Sequence, residues 1–221
     1  MRVILFGATG MVGQGVLREC VLDPEITQVA CVGRSATSQR HEKGREIVLG
    51  NLADLSAVED QLQGYDACFF CLGISSMGIT EADYRRITYD LTLSAAKTLA
   101  NLNPGMTFIY VSGAGTDSTE RGRSMWARVK GETENALLRL PFKAAYLFRP
   151  GFIQPLHGVT SKTRAYRIMY AALWPLIPAL KALLPRYVTT TEQLGRAMIQ
   201  VAKQGAPQPV LESKDINDLQ T

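Results

Sequence analysis

Val3-Ile4-Leu5-Phe6-Gly7-Ala8-Thr9-Gly10-Met11-Val12-Gly13 opens the 221-residue chain with an apolar run that breaks straight into a glycine-rich turn. The run reads as a buried strand, and Val12 to Cys20 reads as a helix. Strand, glycine turn and helix in that order form the first unit of a dinucleotide-binding fold. Gly7 permits the tight turn, Gly10 lets backbone approach a pyrophosphate, and Gly13 lets helix pack close to strand. Thr9, Met11 and Val12 complete the loop, and the pyrophosphate is expected on the free N–H groups at the positive end of the helix.

The rest of the chain alternates in the same way. Strands are expected at Gln28–Val32, Glu46–Leu49, Asp66–Leu72, Thr107–Val111 and Ala144–Phe148, with a last short one at Pro209–Leu211. Helices are expected at Leu55–Leu62, from Thr80-Glu81-Ala82-Asp83 (a capping box) to Ala100, at Ser124–Leu140, and from a Thr191 cap to Lys203. Such alternation predicts an α/β fold, a doubly wound and mostly parallel sheet. In that architecture ligands lie at the carboxyl ends of the strands, so the loops after Phe6, Val32, Leu72, Val111 and Phe148 should line one crevice.

The length fits one domain over residues 1–221, with 152–187 as a cap or insert on the substrate side. Hydrophobic residues at 46% and charged ones at 20% match a water-soluble globular chain. The net charge of +4 is spread thinly, and no basic stripe with interleaved aromatics marks a nucleic-acid partner. The N-terminal apolar run is four residues long and enters the fold directly, which does not resemble a signal peptide; the cytoplasm is the expected compartment. Cys68-Phe69-Phe70-Cys71 has redox or metal spacing, but residues three apart on a strand face opposite ways, so core thiols in a reducing compartment are expected. His157 has no second ligand near it in sequence, and no metal is expected.

Strand two ends in Gly33-Arg34-Ser35. An NAD-selective fold places an acid near this point for the ribose 2′-hydroxyl, whereas arginine suits the 2′-phosphate of NADP. No acid stands there in the sequence, so NADP is the expected cofactor, with NAD second; the alternative for Arg34 is a solvated loop residue. Asp54 is placed either to reach the adenine edge or to cap the helix after it.

These residues resemble a short-chain dehydrogenase/reductase of the extended or atypical kind, the NAD-dependent epimerase/dehydratase-like group that includes NmrA-like proteins. The resemblance rests on the Gly7–Gly13 loop, Cys71-Leu72-Gly73, Val111-Ser112-Gly113, Lys130 and Arg149-Pro150-Gly151, and covers about two thirds of the chain. It implies a catalytic set at Ser112, position 126 and Lys130. Lys130 would hold the nicotinamide ribose, Ser112 would stand beside the nicotinamide or substrate, and Leu72, Gly73 and Pro150 would line the cofactor site. Each has a plainer reading: Lys130 as a solvated helix lysine, Ser112 as a strand-end hydroxyl, Arg149 as an ion-pair partner.

The chain departs from the family at one decisive place. Trp126-Ala127-Arg128-Val129-Lys130 keeps the lysine of the YxxxK arrangement but puts Trp126 where the tyrosine belongs. An indole N–H donates a hydrogen bond but cannot relay a proton. Ser124, Ser112 and Tyr89 are the sequence-level substitutes. Two functions follow: an oxidoreductase or epimerase-like enzyme acting on an unidentified, partly apolar small molecule, or a silent NADP(H)-sensing regulatory or scaffold protein.

The uncharged run Ile168–Leu180, flanked by Arg167 and Lys181, is too short to span a membrane and carries two internal prolines. It reads as a pocket lid or dimer surface, or as a peripheral membrane contact through 165–185 anchored by Trp174, Tyr166 and Tyr170. The resemblance further implies a homodimer built on helices 81–100 and 124–140.

Overall fold

The structure, a computed structural model, describes residues 1–37, 41–159 and 187–219. The cap stretch at 165–185 and its apolar run lie outside them. Seven strands form one parallel sheet: β1 (Arg2–Phe6), β2 (Gln28–Gly33), β3 (Gly44–Val48), β4 (Ala67–Phe70), β5 (Thr107–Val111), β6 (Ala144–Arg149) and β9 (Val210–Glu212). Their order is β3-β2-β1-β4-β5-β6-β9. The order reverses beside β1, the strand that feeds the glycine turn. This is the expected doubly wound fold, with its switch point at the expected loop.

Strands covered on both faces are apolar without a break. Val3 to Phe6 and Ala67 to Phe70 are each fully buried. One face of the sheet packs under α1 (Met11–Leu22), α5 (Thr191–Gln204) and α6 (Ser213–Asp218). The other packs under α3 (Leu91–Leu102) and α4 (Met125–Leu137), where Phe6, Phe70, Phe108 and Phe142 form a ladder of stacked rings with centroids 4.9–5.9 Å apart. Cys68 belongs to the second face and Cys71 packs against the first, so the two thiols diverge as strand geometry requires.

Several boundaries move. Thr80 caps α2 (Glu81–Arg85) by accepting from the Asp83 N–H, but the expected single helix to Ala100 is interrupted by a π turn at Arg86–Asp90 before α3 begins. The stretch after Asp54 is a 3₁₀ turn, Ser56–Gln61, rather than an α-helix. The cap of α5 is Thr190, not Thr191: its hydroxyl accepts from the Gln193 N–H while the Gln193 side chain accepts from the Thr190 N–H. Two short parallel strands, β7 (Phe152–Gln154) and β8 (Val188–Thr190), form a separate two-stranded sheet absent from the sequence reading.

Candidate functional site

Gly7 makes the turn that creates the site. Its φ is +80°, and a Cβ there would lie 2.7 Å from the Cys71 carbonyl group. Gly13 sits closer still, since a Cβ on it would meet the Gly7 carbonyl oxygen at 2.0 Å. Gly13 therefore works by packing α1 onto the loop and is not itself in the lining of the cleft. Gly10 caps α1 with no side-chain bond, and the first turn carries no acid. The positive end of a 12-residue helix is left bare at the sheet's switch point, which is what a pyrophosphate requires.

A cleft of about 1100 Å³ extends from this loop across the strand ends, just beyond the upper end of the roughly 300–1,000 Å³ usual for small-molecule sites. Gly7, Thr9, Gly10, Met11, Val12, Arg34, Leu72, Gly73, Ser112, Trp126, Lys130 and Pro150 all line it. All five strand-end loops named from the sequence contribute. Asp54 does not: its Oδ1 accepts from the Ser56 N–H at 3.0 Å, just ahead of the 3₁₀ turn whose N-cap is Leu55. The nearby residue that reaches the cleft is Leu52, ahead of that turn.

The far end of the cleft holds the groups expected to do chemistry. Lys130, half-buried on α4, donates to the Ser112 carbonyl oxygen, and burial lowers its ammonium pKa to about 8 despite the opposing pull of Glu134. The Ser112 hydroxyl donates to Glu134 Oε1, with the Phe148 carbonyl oxygen a second acceptor at 3.2 Å. Both partners only accept, so the serine's one hydrogen is committed inside the protein. Glu134 is fully buried and is itself held by Arg149, which also bonds Ser118 and Glu212. Arg149 is thus the ion-pair partner of its plainer reading, and Ser112 is tied to the same network.

Trp126 stands in the cleft wall with its indole edge against Gly115. Neither Tyr89 nor Ser124 lines the cleft: Tyr89 stacks under the Arg85 guanidinium, 4.1 Å from centroid to Cζ, and Ser124 caps α4. The phenol in the lining is Tyr84, on α2, buried close to Tyr110. The sequence reading passed over it because a tyrosine before a π turn carries no motif. It also passed over Glu46, an acid on β3 that, like Arg34, lines the cleft. His157 pairs with Glu192 at 2.6 Å.

The sequence profile of the NAD(P)H-binding family matches residues 7–139, more than half of the chain and the stretch that supplies most of this cleft's lining. The chain belongs to that family. Among curated relatives, fmp52 of Emericella nidulans, described as mitochondrial, is 27% identical over 161 residues, covering 68% of this chain and 66% of that protein. HTATIP2 of Rattus norvegicus is 27% identical over 155 residues, or 68% of this chain and 62% of its own length. The match thus spans about two thirds or less of either relative. Among solved structures, the Bordetella bronchiseptica enzyme WbmF in complex with NAD+ superposes with a TM-score of 0.68 at 17% identity, over 99% of this chain and 76% of that one. The YIR035C short-chain dehydrogenase/reductase of Saccharomyces cerevisiae gives 0.65 at 14%, over 99% and 98%. These likenesses establish an NAD(P)-binding Rossmann fold. No described helix is long and apolar enough to cross a membrane.

Proposed function

We propose that the chain is an NADP(H)-dependent oxidoreductase or epimerase-like enzyme acting on a small, partly apolar carbonyl or hydroxyl compound. The carrying observation is that one cleft is lined both by the bare helix end at Gly10 and by Ile74, Tyr84, Trp126, Lys130 and Ile153. The glycine loop and α1 would hold the pyrophosphate, Arg34 the 2′-phosphate, and Lys130 the nicotinamide ribose. A nicotinamide dinucleotide held there supplies or takes up a hydride. The residues beside it orient the substrate oxygen and handle its proton. Ser112 contributes an acceptor lone pair rather than a hydrogen, because Glu134 takes its proton bond. Tyr84, the phenol in the described lining, takes the acid–base role that Trp126 cannot fill. The four free thiols fit a reducing compartment, and we place the protein in the cytoplasm.

NADPH oxidation against a panel of carbonyl compounds and sugar nucleotides tests this reading. We expect turnover with at least one apolar carbonyl, retained or raised in Trp126→Tyr, and lowered by about 10²-fold or more in Tyr84→Phe. The committed Ser112 hydrogen favours a second reading, a cofactor-sensing regulatory protein working through protein contacts. NADPH binding with no turnover across the panel would establish that reading in place of the first.

A further inference from the structure

Among the described residues, the Arg34 guanidinium has neither a hydrogen bond nor an ion pair. It lines the adenosine end of the cleft together with Ser35, Thr37 and Glu46. The acid comes from the neighbouring strand: β3 pairs with β2 in parallel, with Glu46 opposite Cys31. Alternation along β3 buries Ile47 in the core on one face and leaves Glu46 on the other, exposed and beside the cleft. The Glu46 Oε1 accepts from the Thr37 hydroxyl and, at 3.3 Å, from the Thr37 N–H. Thr37's donors are therefore turned toward a carboxylate and away from an incoming anion.

We propose that Glu46 is a second determinant of cofactor choice, a carboxylate that opposes Arg34 and lets the site take NAD(H) as well as NADP(H). This rests on the reading of Arg34 as the 2′-phosphate ligand. A 2′-phosphate brings up to two negative charges, which Arg34 attracts and Glu46 repels. A 2′-hydroxyl brings a hydrogen that a carboxylate accepts and a guanidinium does not. Arginine and glutamate thus pull the preference in opposite directions, and Thr37 anchors the glutamate on the cleft side. The acid is invisible to a reading that looks for it only at the end of strand two.

Dissociation constants of NADPH and NADH, measured by calorimetry on the full chain, decide the matter without reference to turnover. Glu46→Gln keeps an acceptor for Thr37 and removes the charge, on an exposed edge strand where folding is not at stake. We expect it to raise the preference for NADPH, Kd(NADH)/Kd(NADPH), by about fivefold to tenfold, chiefly through tighter NADPH binding, with the gain shrinking as salt is added. Arg34→Ala should lower the same ratio. An unchanged ratio in Glu46→Gln beside a lowered one in Arg34→Ala overturns the role of Glu46 and leaves that of Arg34 intact. An unchanged ratio in both variants overturns both, as does a wild-type chain that binds neither cofactor.

Discussion

Lys130 is the cleft cation whose environment alters its ordinary chemistry. Buried against the Ser112 carbonyl, its ammonium loses protons near pH 8 rather than 10.5. Between those values the folded chain binds fewer protons than the unfolded one, so this residue's contribution to stability rises with pH through that window. Urea unfolding of the cofactor-free wild type and of Lys130→Met at pH 7 and pH 9.5 measures the effect. The difference should move in favour of the wild type at the higher pH, and a constant difference would show that the amine is not depressed. Single residues also mark where sequence reading stops. Gly7, Gly10 and Arg34 are legible because backbone conformation or position after a strand dictates them. Asp54 and Leu52 lie two residues apart in the loop before the 3₁₀ turn, and only the loop's path decides which faces the cleft. Glu46 enters through strand pairing with β2, and no local pattern encodes that register.

At the level of elements, the tie between α4 and β6 is a buried charge pair, Glu134 with Arg149, whose side chains are 1% and 11% exposed. Removing one partner leaves the other charge desolvated and alone, at a cost of about 3–5 kcal/mol. Glu134→Ala should lose that much in urea unfolding, whereas the double change Glu134→Leu with Arg149→Met should recover most of it. A loss under 1 kcal/mol for the single variant would mean that the pair is not holding the two elements together. The sheet and its helices were legible because the buried strands read as unbroken apolar runs and the long helices carry caps and a helical period. The elements that escaped are those with no period to read. The π turn at Arg86–Asp90 adjusts a helix whose residues are ordinary helix formers, and the three-residue strands β7 and β8 exist only because each finds the other across more than thirty residues.

For the whole molecule, cofactor and fold are coupled by mass action. A ligand present at 100 times its Kd adds about 2.7 kcal/mol to the stability of the state that binds it. In a domain of this size each kcal/mol moves Tm by about 2–4 °C, so saturating NADPH should raise Tm by about 5–10 °C. Differential scanning calorimetry with and without NADPH checks this, and an unmoved Tm would contradict the assignment of the cleft. The pairing of β7 with β8 has a consequence on the same scale. Phe152 faces Val188 and Gln154 faces Thr190, so the two ends of the intervening chain are held at adjoining points. With its mouth already closed by a ladder, an excursion of any length costs little extra entropy, about 0.6 kcal/mol for each doubling. Residues between the two strands can be lengthened, shortened or exchanged while the dinucleotide cradle stays as it is. The pairing thereby uncouples the length and composition of the intervening chain from the sheet that carries the glycine loop.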